Sequence, residues 1–192
     1  MNRLMIAAMF AVSVSAQQRL VEGKPDSPVR VLIFEDLQCS DCAAFRIMLD
    51  EKLLPKYGSK VAFEHRDFPL PKHAWARPAS IAARYLQSVD PAKAVKFRQQ
   101  TMKAMGDIKP ETFNDWLRKF CAANGVEGDK AVAALQDPAL ASLVQKDFED
   151  GVARGIAHTP TALVNGAPFV ETFTFEEISA GIDAALKENG VQ

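Results

Sequence analysis

VRVLIFEDLQCSDC, at residues 29–42, is the stretch that decides the fold of this chain. Residues 29–34 are mainly apolar and rich in β-branched side chains, a composition that predicts a buried strand. From Cys42 onward, apolar residues recur at the spacing of an amphipathic helix. The junction between strand and helix therefore carries a Cys-x-x-Cys pair, with Cys39 in the first turn of the helix.

Cys39 lies where a helix stabilises a thiolate. The first turn of a helix presents unpaired N–H groups and the positive end of the helix dipole. A cysteine at that place has a pKa below its free value of about 8.5. Cys42 follows one turn later, close enough to attack a mixed disulfide formed at Cys39. The pattern favours thiol–disulfide exchange.

Spacing alone leaves two other roles open for the pair. A metal site needs more ligands, but the third cysteine, Cys121, is distant in sequence and the three histidines lack ligand spacing. A structural disulfide that closes so small a loop restricts few unfolded conformations and stabilises little. Thiol–disulfide exchange is favoured over both.

Composition bounds the class of protein. The chain has 192 residues, of which 48% are hydrophobic and 24% charged, so a disordered or collagen-like chain is excluded. The 23 basic and 24 acidic residues give a net charge of −1, which argues against a nucleic-acid partner. Three cysteines are too few for a disulfide scaffold or a four-thiolate zinc site.

Residues 1–16 predict a secretory signal peptide. Arg3 supplies a positive start, residues 4–14 are mostly apolar, and small residues end at Ala16. We expect cleavage after Ala16 and a periplasmic or otherwise exported protein, in a compartment that permits disulfides. An N-terminal membrane anchor or a buried helix is the alternative. The polar residues 17–27, which include glycine and proline, predict a mobile N-terminal segment.

The rest of the chain predicts further strands and helices. The predicted elements are a second strand at 61–66, helices from 73 to about 155, hairpin strands at 161–164 and 169–173, and a last helix. Asn165-Gly166 is a typical hairpin turn. Thr174 with Glu177 forms a capping box that begins the last helix.

Several segments, in this order, resemble the DsbA-like thiol:disulfide oxidoreductases. They are FEDLQCSDC (34–42), RDFPLPKH (66–73), ARPA (76–79), GIAHTPT (155–161) and NG (165–166). The resemblance runs from about residue 28 to the end, and the series is far more specific than the Cys-x-x-Cys alone. It implies an α/β, thioredoxin-like fold at residues 28–72 and 156–192, with an inserted all-helical domain at residues 73–155.

The resemblance also implies roles for four residues. Cys39 would be the nucleophile and Cys42 the resolving thiol, with no cofactor. Thr159-Pro160 would be a cis-proline dipeptide packed against the cysteines, whereas the residues alone also allow an ordinary trans proline at a strand start. The backbone of Thr159 would pair with an extended substrate segment, since main-chain hydrogen bonds give affinity without demanding a sequence.

The residues between the cysteines depart from the family's strongest oxidants, which carry Pro-His where this chain has Ser40-Asp41. A carboxylate ~6 Å from a thiolate costs it roughly 0.7 kcal/mol at a dielectric near 80, or about half a pKa unit. We therefore expect a higher pKa for Cys39, and less oxidising power, than in those oxidants. A hydrogen bond from the Ser40 hydroxyl would offset part of this effect.

Two further residues are candidates for supporting the site. The buried acid that thioredoxin-like proteins often carry six residues before the first cysteine is Ile33 here, so Asp36 is the nearest candidate proton relay. A surface or loop-capping carboxylate is the favoured interpretation of Asp36. His158 could tune Cys39 or add a metal ligand, but a surface residue of the substrate groove is favoured.

The remaining histidines and the third cysteine are expected to be structural. His65 and His73 are interpreted as structural or surface residues. Cys121 shares a predicted helix face with Phe113 and Leu117, which indicates a buried apolar thiol.

The sequence thus predicts an exported enzyme that passes its Cys39–Cys42 disulfide to reduced or unfolded exported proteins, as a dithiol oxidase of moderate oxidising power. A disulfide reductase or isomerase is the close alternative. No dimerisation segment is evident, so a monomer is expected. The family also leads us to expect an integral-membrane redox partner. From other classes, the alternatives are a copper chaperone using Cys39, Cys42 and His158, and a non-catalytic thioredoxin-like module.

Overall fold

A computed structural model describes residues 19–191. Its strands are β1 (Val21–Gly23), β2 (Arg30–Glu35), β3 (Ala62–Asp67), β4 (Thr161–Val164) and β5 (Ala167–Val170). Its α-helices are α1 (Ser40–Met48), α2 (Leu54–Tyr57), α3 (Ala76–Val89), α4 (Pro91–Lys103), α5 (Phe113–Ala123), α6 (Gly128–Ala133), α7 (Pro138–Ala153) and α8 (Phe175–Glu188). A π-helical turn, Leu49–Leu53, joins α1 to α2, and a 3-10 turn, Ala134–Gln136, follows α6.

The five strands form one mixed sheet in the order β1-β3-β2-β4-β5. The central strand β2 runs parallel to β3 and antiparallel to β4. The carboxyl ends of β2 and β3 and the start of β4 therefore lie at the same edge of the sheet. The cysteines follow β2 at that edge, so the loops after β3 and before β4 flank them on opposite sides.

Helices α3 to α7 lie between β3 and β4 in the chain, which is where the all-helical insertion was expected. The apolar faces of α3 to α6 pack into a core that also contains both cysteines and the Trp75 ring, while α7 packs against α3 in a smaller cluster. Helix α7 lies against the sheet side of the molecule at Gly151, where an added Cβ would meet the Phe68 ring at 2.6 Å. The insertion is thus packed directly behind the cysteine pair.

The expectation of a mobile segment at residues 17–27 is wrong for β1. Residues 21–23 pair antiparallel with β3, and the backbone N–H of His65 donates to the carbonyl of Leu20 at 2.9 Å. A three-residue strand is too short to produce a recognisable alternation of apolar and polar residues. The polar residues and the glycine of this segment therefore predict mobility where the chain forms a strand. Residues 17–18 and the predicted signal peptide at 1–16 lie outside the described residues.

The hairpin and the last helix follow their sequence signals, with one shift. Asn165 and Gly166 have φ of 45° and 97°, as a primed hairpin turn requires, and the capping box of Thr174 with Glu177 is formed. The second hairpin strand was predicted at 169–173 but spans 167–170. It ends there because Glu171 has a φ of 55°, which is not a strand conformation. Within residues 19–191, no helix is both long and apolar enough to cross a membrane.

Candidate active site

Cys39 occupies the N-cap of α1, in an extended conformation with φ −97° and ψ 128°. Its backbone N–H donates to the Asp36 carbonyl at 3.1 Å, and its own carbonyl accepts from Ala43 at 3.0 Å. The residue is 7% exposed, and its sulfur and that of Cys42 are free thiols. The structure therefore describes the reduced form, with the first cysteine at the helix end that sequence predicts.

The pKa of Cys39 is lowered to about 5. The largest cause is a hydrogen bond from the Cys42 thiol, which outweighs the opposing effect of burial. The Thr159 side chain and the backbone N–H groups of Cys42 and Asp41 lower the pKa further. Cys39 is thus a thiolate at neutral pH, held by donors at the start of the helix.

Cys42 has the opposite character. It is fully buried, and this burial raises the pKa of its thiol well above the ordinary value. The hydrogen bond to Cys39 and the charges of Cys39 and Glu35 raise the pKa further. The backbone N–H of Asp36 points at the Cys42 sulfur at 3.4 Å. The pair therefore consists of a thiolate and a protonated, buried thiol.

The Thr159-Pro160 peptide bond is cis, and this dipeptide lies against Cys39. In its thiol form the Cys39 sulfur donates to the Thr159 carbonyl at 3.3 Å. The loop is fixed on the other side, because the backbone N–H of Glu171 donates to the Pro160 carbonyl at 2.8 Å. This places Thr159 and Pro160 beside the reactive sulfur, as the resemblance implies.

Ser40 and Asp41 are exposed residues in the first turn of α1. The backbone N–H of Asp41 lowers the pKa of Cys39. The expected opposing effect of the Asp41 carboxylate, and the donation expected from the Ser40 hydroxyl, stay predictions.

Asp36 is fully buried, so a surface position for it is wrong. Its carboxylate accepts from the backbone N–H groups of Gln38 and Leu70, both at 2.7 Å, and lies 2.8 Å from Nδ1 of His73. These are the contacts of a loop-capping carboxylate. They join the turn before Cys39 to the loop that follows β3, and they give His73 a structural role.

His158 lies on the surface beside the Thr159-Pro160 loop. Its side chain is 62% exposed, and Nδ1 lies 3.0 Å from a carboxylate oxygen of Glu171. Among residues 19–191 no three histidine, cysteine or acidic side chains are grouped as metal ligands. The structure does not bring His158 together with the two cysteines in the way that a three-ligand copper site needs.

Glu35 is a buried acid that the sequence analysis did not single out. It is 2% exposed, and its carboxylate contacts Nδ1 of His65 at 2.6 Å and the Arg98 guanidinium at 2.8 Å. Despite burial, these two cations lower the pKa of Glu35. The signal was its position: Val31, Ile33 and Glu35 alternate along one face of β2.

This carboxylate belongs to a larger buried ionic network. His65 also contacts Glu22 of β1 at 2.8 Å, and the neighbouring carboxylates raise the pKa of His65 in spite of its burial. Arg98 of α4 continues the network to Asp67 at 2.6 Å. From Asp67 the network extends to the Arg84 guanidinium of α3, which also contacts a carboxylate of α7. The ionic contacts thus join the sheet beneath Cys42 to three helices of the insertion.

Cys121 lies apart from this chemistry. It is fully buried on α5, and burial raises the pKa of its thiol. It packs in the helical core with Phe113, Leu117 and Phe120, as its place on the predicted helix face indicated.

Comparison with known proteins gives consistent results. The family model described as Thioredoxin matches residues 15–184. The Bacillus subtilis (strain 168) protein named disulfide bond formation protein D is 25% identical over 179 residues, covering 87% of this chain and 77% of that protein. The crystal structure of oxidised BdbD from Bacillus subtilis superposes with a TM-score of 0.79 at 23% identity, over 88% of this chain and 93% of that one. The structure of Wolbachia pipientis alpha-DsbA1 gives a TM-score of 0.79 at 16% identity, over 91% and 94% of the two chains.

Proposed function

We propose a function for this chain from the premise that it belongs to the thioredoxin family. Its resemblance to DsbA-like proteins is confirmed, as are the thioredoxin-like fold with helical insertion and the enzyme class, protein thiol:disulfide oxidoreductase. Within that class, the proposed activity is that of a dithiol oxidase of moderate power, which passes a Cys39–Cys42 disulfide to reduced substrate proteins.

The observation that carries the proposal is the opposite pKa shift of the two thiols. A dithiol whose reduced form is stabilised by a thiolate is an oxidant, because its disulfide gains that stabilisation on reduction. The pKa of Cys39, about 5, lies between about 7 for thioredoxin and about 3.5 for the strong oxidant DsbA. This intermediate value supports moderate oxidising power.

The reaction proceeds by two exchanges. A substrate thiolate attacks the Cys39 sulfur of the disulfide, and Cys42 leaves and takes up a proton in its buried position. A second substrate thiolate then attacks the substrate sulfur of the mixed disulfide, and Cys39 leaves as a thiolate. Two substrate thiols are oxidised and one enzyme disulfide is reduced. The low pKa of Cys39 favours the second exchange, since a more acidic thiol leaves faster.

Thr159 is the proposed contact for the substrate backbone. Its carbonyl lies 3.3 Å from the Cys39 sulfur, so an extended chain bonded there would bring its cysteine to the reactive sulfur. Main-chain bonding of this kind suits an enzyme with many unfolded substrates.

Export is part of the same proposal. The signal-peptide pattern at residues 1–16 supports a periplasmic or otherwise exported oxidase, since disulfides persist in oxidising compartments. In that setting the substrates are reduced exported proteins, an integral-membrane protein would reoxidise the dithiol, and the enzyme would act as a monomer.

Trapping tests the reaction. A Cys42→Ala variant is first loaded with glutathione as a mixed disulfide on Cys39 and is then mixed with a reduced substrate protein that carries one cysteine. The substrate thiolate displaces glutathione from Cys39, and the new mixed disulfide should accumulate because neither Cys42 nor a second substrate thiol is present to resolve it. Cys39→Ala is the matched control and should trap nothing, while Cys121→Ala should behave as the unmodified chain. Trapping that is equal in the Cys39→Ala variant would contradict the assignment of Cys39.

The reduction potential tests the direction of electron flow. Equilibration with glutathione should give a value between about −120 mV for DsbA and about −270 mV for thioredoxin, on the oxidising side of that range. A value at or below that of thioredoxin would identify a reductase instead.

A further inference from the structure

Two neighbouring clefts lie in the surface, one where the loop after β3 meets the helical insertion and one within the insertion. The first, about 370 Å³, has an apolar lining of Pro69, Leu70, Pro71 and Phe148. The second, about 490 Å³, is also largely apolar and lies between α3, α5 and α6, with Trp75, Ile81, Phe113, Val132 and Leu135 among its lining residues. Each volume suits the side chains of a bound segment rather than a single water.

The first cleft is connected to the dithiol through the buried residue Asp36. Leu70 and His73 line it, and both are bonded to the buried carboxylate of Asp36. The backbone N–H of Asp36 in turn contacts the Cys42 sulfur. The cleft therefore flanks the cysteines on the side of β3, whereas Thr159 flanks them on the side of β4.

Arg77 stands between the two clefts, because it and Ala74 line both. It is exposed, and its guanidinium donates a hydrogen bond to the neutral amide oxygen of Gln145 at 3.0 Å. Among the residues that line the two clefts there is no carboxylate, and the ring of His73, which lines the first cleft, contacts the buried Asp36. Lys72, exposed and next to His73 in the chain, is a second basic side chain in this segment.

We propose that these clefts bind a cysteine-bearing, extended segment of the substrate protein in which a carboxylate is flanked by apolar side chains. The guanidinium of Arg77 binds the carboxylate, for which its planar fork of N–H groups is suited. The two apolar hollows on either side receive the neighbouring side chains. This inference rests on the proposed oxidase function. It adds a preference for certain substrate sequences to a site whose proposed contact at Thr159 involves only the substrate backbone.

Paired peptides test the inference with the oxidised full chain. Each peptide carries two cysteines and an arm that reads Leu-Asp-Leu or Leu-Asn-Leu, placed at successive distances from the first cysteine. The measurement is the second-order rate of peptide oxidation. At one or two arm positions the Asp peptide should react about two- to fivefold faster than the Asn peptide, an effect of the size expected for one exposed ion pair. An Arg77→Gln variant should lose that preference.

Lys96→Gln is the matched control, since it also removes one exposed positive charge, on α4, and should keep the preference. Equal rates for Asp and Asn peptides at every arm position would overturn the inference while leaving the oxidase function intact. A preference that persists in Arg77→Gln would overturn it as well. A chain that oxidises no peptide would contradict the proposed function, and this inference with it.

Discussion

Cys39 and Cys42 are one helical turn apart, yet the pKa of one thiol falls and that of the other rises. The difference comes from their surroundings, because Cys39 faces donors at the helix end while Cys42 is enclosed in the core. The hydrogen bond between the two thiols adds to both shifts. Because the proton stays on Cys42, the attacking sulfur of Cys39 is a thiolate while the resolving sulfur remains a protonated thiol.

Asp41 is predicted to oppose this arrangement slightly. Asp41→Asn removes a carboxylate near the thiolate while keeping the backbone N–H that lowers the Cys39 pKa. The Cys39 pKa should fall by about half a unit, from the Coulomb energy of a charge ~6 Å away in water. The check is the pH dependence of Cys39 alkylation, with Asp115→Asn, on α5, as the matched control. A rise in pKa would contradict this prediction.

The sequence predicts the reactive cysteine more readily than the buried residues that surround the pair. A cysteine at a helix start is visible in the spacing of Cys39 and Cys42. The sequence points to Asp36 as the supporting acid, whereas the carboxylate whose charge raises the Cys42 pKa is that of Glu35. Its partners His65 and Arg98 come from distant parts of the chain, so local pattern could not identify them.

At the scale of elements, α7 packs closely against aromatic rings at the sheet because its residue 151 is glycine, which has no side chain. An added Cβ at Gly151 would meet the Phe68 ring at 2.6 Å and the Phe34 ring at 3.1 Å. Phe68 is itself buried and stacked on Phe148, with ring centroids 4.6 Å apart, so it has little room to yield. The close approach of helix and rings explains why glycine stands inside this helix.

Gly151→Ala should therefore destabilise the protein in spite of the better helix propensity of alanine. Overpacking of a filled core costs roughly 1–3 kcal/mol, measured as the free energy of unfolding in urea. Gly106→Ala is the control, because an added Cβ there meets nothing within 4 Å, and it should change stability by less than about 0.5 kcal/mol. Equal effects of the two substitutions would refute this account of α7.

Elements with strong local signals were predicted correctly, and those set by tertiary contacts were not. The Asn165-Gly166 turn and the Thr174 capping box are chemical signals within a few residues. In contrast, β1 forms because it pairs with the free edge of β3. Its three residues are too few to show the alternation that predicts a strand. The π-helical turn at 49–53 likewise has no local signature.

At the scale of the whole molecule, buried ion pairs join the sheet to the helical insertion. Arg98 contacts Glu35 and Asp67 from α4, and all three side chains are almost completely buried. Such pairs contribute little net stability over apolar residues, but losing one partner leaves an uncompensated buried charge. The network therefore constrains how the insertion sits behind the cysteines.

Arg98→Leu should lower the free energy of unfolding by roughly 3–5 kcal/mol, because two buried carboxylates each lose one of their two cations. Urea unfolding measures this loss. Arg118→Leu is the comparison, since Arg118 pairs with Asp115 and Asp129 on the surface and should cost at most about 1 kcal/mol. A loss no larger for Arg98 than for Arg118 would show that the buried network tolerates an unpaired charge.

The alkylation rate of reduced Cys39, followed from pH 3 to pH 10 in a Cys121→Ala background, tests the central claim most directly. Since only the thiolate reacts, and Cys42 stays protonated over most of this range, the rate reports the ionisation of Cys39. The account predicts a midpoint near the pKa of about 5, with full reactivity retained at neutral pH. A midpoint near the value of about 8.5 for a free cysteine would contradict it.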